Sequence, residues 1–185
     1  KELLFHHISV KDNKIYAIFD MDGQVQREFD GAFLLGLNHI DYELDELDIN
    51  DHCIKTYVHN LITNFNEEYP IADTSSIPFM GRYNNDHYFG GNPWIIITAS
   101  LFQYWIKTKD ILNHQEELMR FIDFIKKEKK MDLSEQIDKE SGENISVDRL
   151  TWNYAELISL EFMMEEFCSK FDSGNLLFKN VKIFS

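Results

Sequence analysis

The sequence of 185 residues is long enough for one domain with a sizeable core, and its 44% hydrophobic and 14% aromatic content indicates an ordered globular fold. The formal net charge of -14 excludes the basic surface that nucleic-acid binding requires. No apolar run is long enough to span a membrane, and no clustering of Cys and His predicts a metal site or a cofactor. Cys53 and Cys168 lie on apolar faces of helical patterns, which favours two buried thiols over a disulfide. Because the chain begins at Lys1 rather than Met, we expect a fragment or a processed product.

The N-terminal residues predict a small β-structure. Residues 3–29 have an extended pattern, and Asp22-Gly23 separates two apolar runs, 15–19 and 25–29. An Asp-Gly pair between such runs is typical of a hairpin turn. We therefore expect a β-hairpin before the first helix.

The pattern then becomes helical. Apolar residues recur at helical spacing over residues 49–65, and Asn50 or Asp48 is the expected N-cap. Tyr69-Pro70 should end this helix, because the residue before a proline avoids the helical conformation.

The middle of the chain predicts one buried helix and one amphipathic helix. Asn92-Pro93 has the residue types of an N-cap followed by a first helical position. The helix that follows, residues 94–107, is apolar nearly all round, and a helix without a polar face is buried on all sides. Residues 111–128 carry an apolar stripe and predict an outer helix that faces water.

Long polar loops separate these helices, over residues 70–92 and 131–146. A last helix is expected over residues 148–171, ended by Gly174, and residues 176–184 predict a short final strand. The sequence thus predicts a nearly all-helical structure from residue 45 to residue 171. Long loops in a compact domain are often functional, so these two loops are the candidates for functional residues.

Both loops contain extended motifs. Residues 81–94 read Gly-Arg-Tyr-Asn-Asn-Asp-His-Tyr-Phe-Gly-Gly-Asn-Pro-Trp. Residues 134–139 read Ser-Glu-Gln-Ile-Asp-Lys, followed by Gly142, Ser146 and, at residues 150–155, Leu-Thr-Trp-Asn-Tyr-Ala. Each motif leads from a loop into a predicted helix.

Together the motifs resemble the patterns G-R-Y-x-x-D-x-Y-x-x-G-N-P-W and S-E-Q-x-D-K … L-T-W-x-Y-A of fungal-type glucoamylases, in that family's order. The resemblance implies an all-α fold, the (α/α)6 toroid of inner and outer helices. Residues 1–185 would be the C-terminal part of the catalytic domain, with the small β-hairpin at their start. The N-terminal half of the domain, which holds the general acid, would lie outside this chain.

The resemblance also implies roles for individual residues. Glu135 matches the general base, and Arg82 matches an arginine that binds sugar hydroxyls. Trp94 and Trp152 match residues that line the sugar subsites. Among single residues, however, a loop Glu is usually solvated and a Trp near a helix start usually belongs to the core, so the two motifs carry the assignment jointly.

Two further residues of the first motif complete the candidate substrate-binding set, Tyr88 and Asp86. For Asp86 a scaffold role is favoured, because an Asp in such a loop commonly bonds backbone amides. Three stretches depart from the family pattern and put fine subsite preference in doubt: Asn84-Asn85, Ile137 and Phe89-Gly90.

The implied activity is that of a glucan 1,4-α-glucosidase. Such an enzyme releases β-D-glucose, with inversion, from the non-reducing ends of starch, glycogen or maltooligosaccharides. Inversion requires a general acid and a general base about 6.5–9.5 Å apart, so this chain should hold half an active site and need its N-terminal half. By the same resemblance the expected location is outside the cell or in a vacuole.

Two alternatives remain open. A non-catalytic glucoamylase-like domain would bind or sense glycan without cutting it, although such a module needs no base like Glu135. Residues 15–23 also look like the opening motif of haloacid dehalogenase-type phosphatases, with Asp20 as nucleophile and Asp22 as acid/base, and residues 95–98 imitate that family's threonine motif. A hairpin with an Asp-Gly turn explains residues 15–23 equally well. A short motif match also remains a hypothesis until the expected structure around it is found.

Overall fold

The computed structural model describes residues 8–9, 14–15, 18–19, 22, 25–39, 48–127, 132–171 and 176–184. The strands in these residues are β1 (Ile8–Ser9), β2 (Lys14–Ile15), β3 (Ile18–Phe19), β4 (Val25–Arg27), β5 (Ser134–Ile137) and β6 (Asn144–Asp148). The α-helices are α1 (Ala32–His39), α2 (His52–Glu68), α3 (Pro70–Ser75), α4 (Ile95–Thr108), α5 (Gln115–Lys127) and α6 (Thr151–Lys170). Short 3-10 helices cover Tyr88–Gly90 and Asp110–Asn113.

The N-terminal β-structure consists of two small antiparallel pairs. β3 pairs with β4, with Ile18 opposite Arg27, and Asp22 lies in the turn between them. The predicted hairpin is therefore confirmed over the described residues, while Gly23 lies outside them. Ile15, expected in the same strand as residue 18, instead pairs back with Ile8.

Helix α2 ends at Glu68, as the Tyr69-Pro70 step predicts. The expected cap is wrong, because Asp51 rather than Asn50 or Asp48 accepts the hydrogen bond from Cys53 N, at 2.7 Å. Asp48 Oδ1 accepts from Asn50 N in the preceding turn. Pro70 also begins a new short helix, since proline is well tolerated in a first turn, so the long loop starts only after Ser75.

Helix α4 forms the centre of the core, and the prediction of a helix buried on all sides is confirmed. Every residue of α4 except Lys107 is buried. Helices α1 and α6 pack against it, and Phe102 of α4 stacks on Phe121 of α5 at 5.1 Å between ring centroids. The expected start at Asn92-Pro93 is wrong. Trp94 is still extended, because its N–H donates to Met80 O at 2.8 Å and leaves the helix to begin at Ile95.

The prediction of a polar loop over residues 131–146 is wrong in part. The described residues of this segment form an antiparallel hairpin in which Gln136 of β5 is opposite Ile145 of β6. All four residues of β5 are buried despite their polar composition. Between residues 48 and 171, the described residues are therefore mostly helical but are interrupted by this hairpin as well as by the loop before α4.

The predicted final strand over residues 176–184 is also wrong, and Gly174 lies outside the described residues. The segment makes turns, with Lys179 N donating to Leu176 O at 3.1 Å. Phe178 of this segment packs on α6, where its ring centroid lies 6.0 Å from that of Phe167. The apolar pattern thus records burial against a helix rather than strand pairing.

The phosphatase alternative loses its structural context. Thr98 lies inside buried helix α4, with its hydroxyl donating to Trp94 O, instead of following a strand. The strands among the described residues form antiparallel pairs and no parallel sheet. Of the helices in the described ranges, none is both long and apolar enough to cross a membrane.

Candidate active site

The two motifs form one structural unit. Ile137 N donates to Pro93 O at 3.0 Å, and Trp94 pairs with Gln136 in an isolated β-bridge. Lys139 N donates to Asn92 Oδ1 at 3.2 Å, across 47 positions of sequence. Asn92 is thus a clamp between the loop 81–94 and the β5–β6 hairpin, which explains why it does not cap α4.

Glycines shape the loop of the first motif. Gly91 has φ 70°, a left-handed conformation that favours glycine, and a Cβ on it would lie 2.1 Å from Asp86 O. A Cβ on Gly81 would lie 1.8 Å from the hydroxyl of buried Tyr69. Both positions therefore require the absence of a side chain for the loop to close.

Asp86 holds Arg82 in place. Its carboxylate accepts two hydrogen bonds from the Arg82 guanidinium, each at 2.7 Å, and a third from Tyr88 N at 2.9 Å. Burial opposes its ionisation, but these donors outweigh burial and lower the pKa of Asp86 below its usual value. The hydrogen bond to Asp86 in turn raises the pKa of Arg82. This geometry supports the scaffold role expected for Asp86.

Aromatic rings surround the Arg82 guanidinium. Its central carbon lies 4.8 Å from the ring centroid of Tyr88 and 5.2 Å from those of Trp94 and Tyr83. The Arg82 side chain remains 31% exposed. A fixed guanidinium with aromatic walls offers donors for hydroxyl groups beside apolar faces for rings.

Glu135 lies in β5, next to this cluster, and only 9% of its surface is exposed. Its Oε2 accepts from Ser146 Oγ at 2.7 Å and from Gln136 Nε2 at 3.2 Å. Within the part of the chain that the structure describes, no hydrogen bond reaches Oε1. The charge of Glu135 contributes to the raised pKa of Arg82, after the larger effect of Asp86, so the two motifs also meet electrostatically.

Ser146 belongs to the second motif, but the sequence did not predict a contact between its hydroxyl and Glu135. It has φ 72°, an uncommon conformation for a residue other than glycine, and this conformation brings its hydroxyl to Glu135. The register of the hairpin shifts between Ser134 and Gln136, opposite this region. The position of Ser146 within the second motif could have indicated a role in the site. The contact with Glu135, however, depends on a strained backbone conformation that the amino-acid sequence does not show.

The start of α6 holds the strand that carries Glu135. Asn153 Nδ2 donates to Ser134 O at 2.7 Å, and Leu133 N donates to Tyr154 OH at 3.2 Å. Asn153 is fully buried, so this contact is part of the core. The second half of the motif, residues 150–155, therefore positions the first half.

Trp152 is placed differently from the other predicted site residues. It is the second residue of α6, and 65% of it is exposed. No hydrogen bond or ring contact described for this chain joins Trp152 to Arg82 or Glu135. Arg82, Asp86, Tyr88 and Trp94 form one connected cluster with Glu135 beside it, and a role for Trp152 in the same pocket stays a prediction.

A separate groove of about 480 Å³ lies between α2, α3 and the C-terminal half of α4. Its lining includes Tyr104, Trp105 and His114, and none of the predicted site residues. Among the residues that the structure describes, no group of three or more His, Cys, Asp or Glu side chains is placed to hold a metal ion.

The geometry can be set beside known proteins. No protein-family model matches the sequence. An uncharacterized glycosyl hydrolase of Methanocaldococcus jannaschii is 36% identical over 87 residues, covering 41% of this chain and 14% of that protein. Among solved structures, the glucoamylase of Saccharomycopsis fibuligera is similar, with a TM-score of 0.71 at 18% identity. That likeness covers 87% of this chain and 46% of the glucoamylase chain.

The structural likeness establishes the fold. The chain is mostly helical and matches part of a glucoamylase-like helical toroid, with a small hairpin, as the motifs predicted. It spans less than half the length of either similar protein. At this low identity the structural comparison shows the fold alone.

Proposed function

We propose that the complete protein is a glucan 1,4-α-glucosidase of the glucoamylase type and that this chain supplies its general base, Glu135. The observation that carries the proposal is the carboxylate itself. One oxygen of Glu135 is held by Ser146 and Gln136, while Oε1 accepts no described hydrogen bond. The similarity to a glycosyl hydrolase and to the fold of a glucoamylase supports the same reaction class.

The proposed role of Glu135 follows from this asymmetry. Two donors on Oε2, Ser146 Oγ and Gln136 Nε2, fix the plane of the carboxylate. Oε1 is then the oxygen that takes a proton from the attacking water. A general base must lie within hydrogen-bond reach of the proton that it removes, and a fixed carboxylate keeps that reach constant.

Arg82 and its aromatic neighbours would hold the substrate. Arg82 offers N–H donors to adjacent hydroxyls of the terminal glucose, and Asp86 prevents the guanidinium from turning away. The ring faces of Tyr88 and Trp94 suit the apolar faces of a sugar. A neutral substrate is also compatible with the net charge of -14, which would repel polyanions.

The general acid would come from the N-terminal half of the domain, outside this chain. Helix α6 supports an incomplete ring, because three large apolar side chains on it are exposed: Trp152, Ile158 and Phe162. Exposed apolar patches of this kind usually mark an interface. The glucoamylase chain continues well beyond the 46% that this chain matches, so we propose that the missing half covers this face.

Two consequences follow for the isolated chain. Without the general acid it should release no glucose, and with the face of α6 uncovered it should associate or fold poorly. Robust release of glucose from starch by residues 1–185 alone would contradict the proposal.

The test of the proposed function is the stereochemistry of the product. The complete protein is mixed with maltoheptaose, and proton NMR follows the anomeric signals of the first glucose released. We expect β-glucose to appear first, because water attacks from the face opposite the leaving group. Release of α-glucose first would exclude an inverting mechanism. Binding of maltoheptaose without any release would favour the non-catalytic, glycan-binding alternative.

A further inference from the structure

Phe89 combines exposure with backbone strain. It has φ 51°, and a bulky residue in this left-handed region is an outlier. The residue is 59% exposed, so burial of its ring within this chain offsets little of the strain. Single exposed apolar residues are common on surfaces, but they rarely require a strained backbone. A strained residue beside a candidate active site is a reason to ask what its side chain does.

The surroundings hold Phe89 in this conformation from two sides. Asn92 Nδ2 donates to Phe89 O at 2.6 Å, and Lys139 Nζ donates to Gly90 O at 2.9 Å. Asn92 and Lys139 also contact each other, through the hydrogen bond from Lys139 N to Asn92 Oδ1 that joins the two motifs. The orientation of Phe89 is therefore coupled to the β5–β6 hairpin, which carries Glu135.

The ring of Phe89 extends an aromatic row that starts at the Arg82 cluster. The ring centroids of Trp94 and Tyr88 lie 6.3 Å apart. Those of Tyr88 and Phe89 lie 4.8 Å apart, with an edge-to-face angle of 74° between the rings. Exposure increases along the row, because Trp94 is partly buried, Tyr88 is 40% exposed and Phe89 is 59% exposed. The row thus leads from the guanidinium outward to solvent.

We propose that Phe89 is a binding platform for a sugar ring of the glucan, further along the chain than the ring that Arg82 contacts. This inference rests on the proposed function and adds to it a residue that determines chain-length preference. An exposed aromatic face matches the apolar C–H face of a sugar, and one such contact is worth about tenfold in affinity. The strained backbone keeps the ring at the end of the row.

The test measures binding to the complete protein with the substitution Glu135→Gln, which prevents hydrolysis during titration. Titration calorimetry compares the binding of maltose with that of maltotetraose for this parent protein, for two variants at Phe89 and for one control variant. Phe89→Asn keeps a residue that tolerates positive φ but removes the ring. Phe89→Tyr keeps the ring, and Leu177→Ala, at a residue that is 54% exposed in the C-terminal turns, is the matched surface control.

We expect Phe89→Asn to weaken maltotetraose binding by about tenfold and maltose binding much less, whereas Phe89→Tyr and Leu177→Ala bind like the parent. Equal weakening for both sugars, or no weakening, would overturn the inference. Thermal destabilisation without a change in binding would show that Phe89 packs against the rest of the protein instead. Because binding is measured without turnover, failure here is distinguishable from failure of the proposed reaction, which the anomeric product tests.

Discussion

The two ends of the buried helix α4 are built in different ways. At its start, Trp94 N donates to Met80 O at 2.8 Å and Met80 N donates to Thr98 Oγ1 at 3.0 Å, within a loop fixed by polar side chains. Towards its end, aromatic rings make the contacts. Phe102 stacks on Phe121 at 5.1 Å, and Trp105 stacks on His114 at 3.9 Å.

The difference shows where the fold accepts strain. The non-glycine residues Asn85, Phe89 and Ser146, all near the start of α4, have positive φ. At the other end the comparable residue is Lys109, which simply ends the helix in a left-handed cap. Backbone strain at the start of α4, and ring packing at its end, indicate that the start positions functional groups while the end supplies stability.

Removing an aromatic ring at the apolar end should have the largest effect on stability. Phe102 is fully buried between Phe121 and Trp105, so Phe102→Ala should lower the free energy of unfolding by about 3–5 kcal/mol. The measurement is urea denaturation of the complete protein. The kcat of the fraction that remains folded should match that of the wild type.

The milder Phe102→Leu guards against a variant that does not fold, with an expected cost of about 1–2 kcal/mol. A tenfold loss of kcat in folded Phe102→Leu would mean that the apolar end of α4 also shapes the active site. That result would contradict the division of roles between the two ends of the helix.

Removing one charge at the polar end should have the next largest effect on stability. Asp86→Asn leaves Arg82 without its ionised partner and should lower the free energy of unfolding by about 2 kcal/mol, since Arg82 is partly solvated. Asp132→Asn is the control, because its pair with Arg149 is largely exposed and should contribute little.

The cost of Asp86→Asn should depend on pH in a defined direction. The pKa of Asp86 is lower in the folded state than its usual value, so its ionised form stabilises the fold at all pH values above the unfolded pKa of about 3.9. This stabilisation is lost as the pH falls through the folded-state pKa. The two unfolding free energies should therefore converge below about pH 4, and a difference that persisted unchanged to pH 2 would contradict this account.

Relieving strain at Ser146 should change stability least while still lowering activity. Ser146→Gly favours φ 72° by up to about 1 kcal/mol, and loss of the hydrogen bond to Glu135 offsets a similar amount. Because the Glu135 carboxylate would be less firmly held, the kcat of the complete protein should fall about tenfold with little change in KM.

Ser76→Gly is the matched control, because Ser76 also has positive φ but caps α3 away from the site. It should gain up to about 1 kcal/mol of stability without a change in kcat. If Ser146→Gly kept full activity, the contact between Ser146 and Glu135 would be structural only.

The comparison also explains which parts of the molecule could be predicted from the sequence. Helix α2 follows from the helical spacing of its apolar residues, and α4 follows from its being apolar nearly all round, because both patterns record burial. The β5–β6 hairpin does not, because its polar residues become buried only when the loop 81–94 closes over them. Asn92 has the residue type of a helix cap, but its side chain accepts a hydrogen bond from Lys139 N, 47 positions away, which the local sequence does not show.

The candidate site divides in the same way. Glu135, Arg82 and Asp86 are predicted as site residues by the resemblance of two motifs to a family pattern. The contact between Ser146 and Glu135 and the aromatic row ending at Phe89 depend on positive φ angles. Ser and Phe rarely adopt such angles, so the sequence does not predict them. Trp152 is predicted by its motif, but its face of α6 remains exposed in this chain.

The central claim is that Glu135 acts as the general base, and one comparison tests it most directly. Glu156 is a control of equal exposure, 9%, and Gln103 donates to it at 2.8 Å inside the helical core. The complete protein is assayed for glucose release from maltose with Glu135→Gln and with Glu156→Gln, over a range of maltose concentrations. Glu135→Gln should lower kcat by about 10²–10⁴-fold with little change in KM, because the amide cannot accept the proton, whereas Glu156→Gln should keep near wild-type kcat. Near wild-type turnover by Glu135→Gln would contradict the assignment of the base.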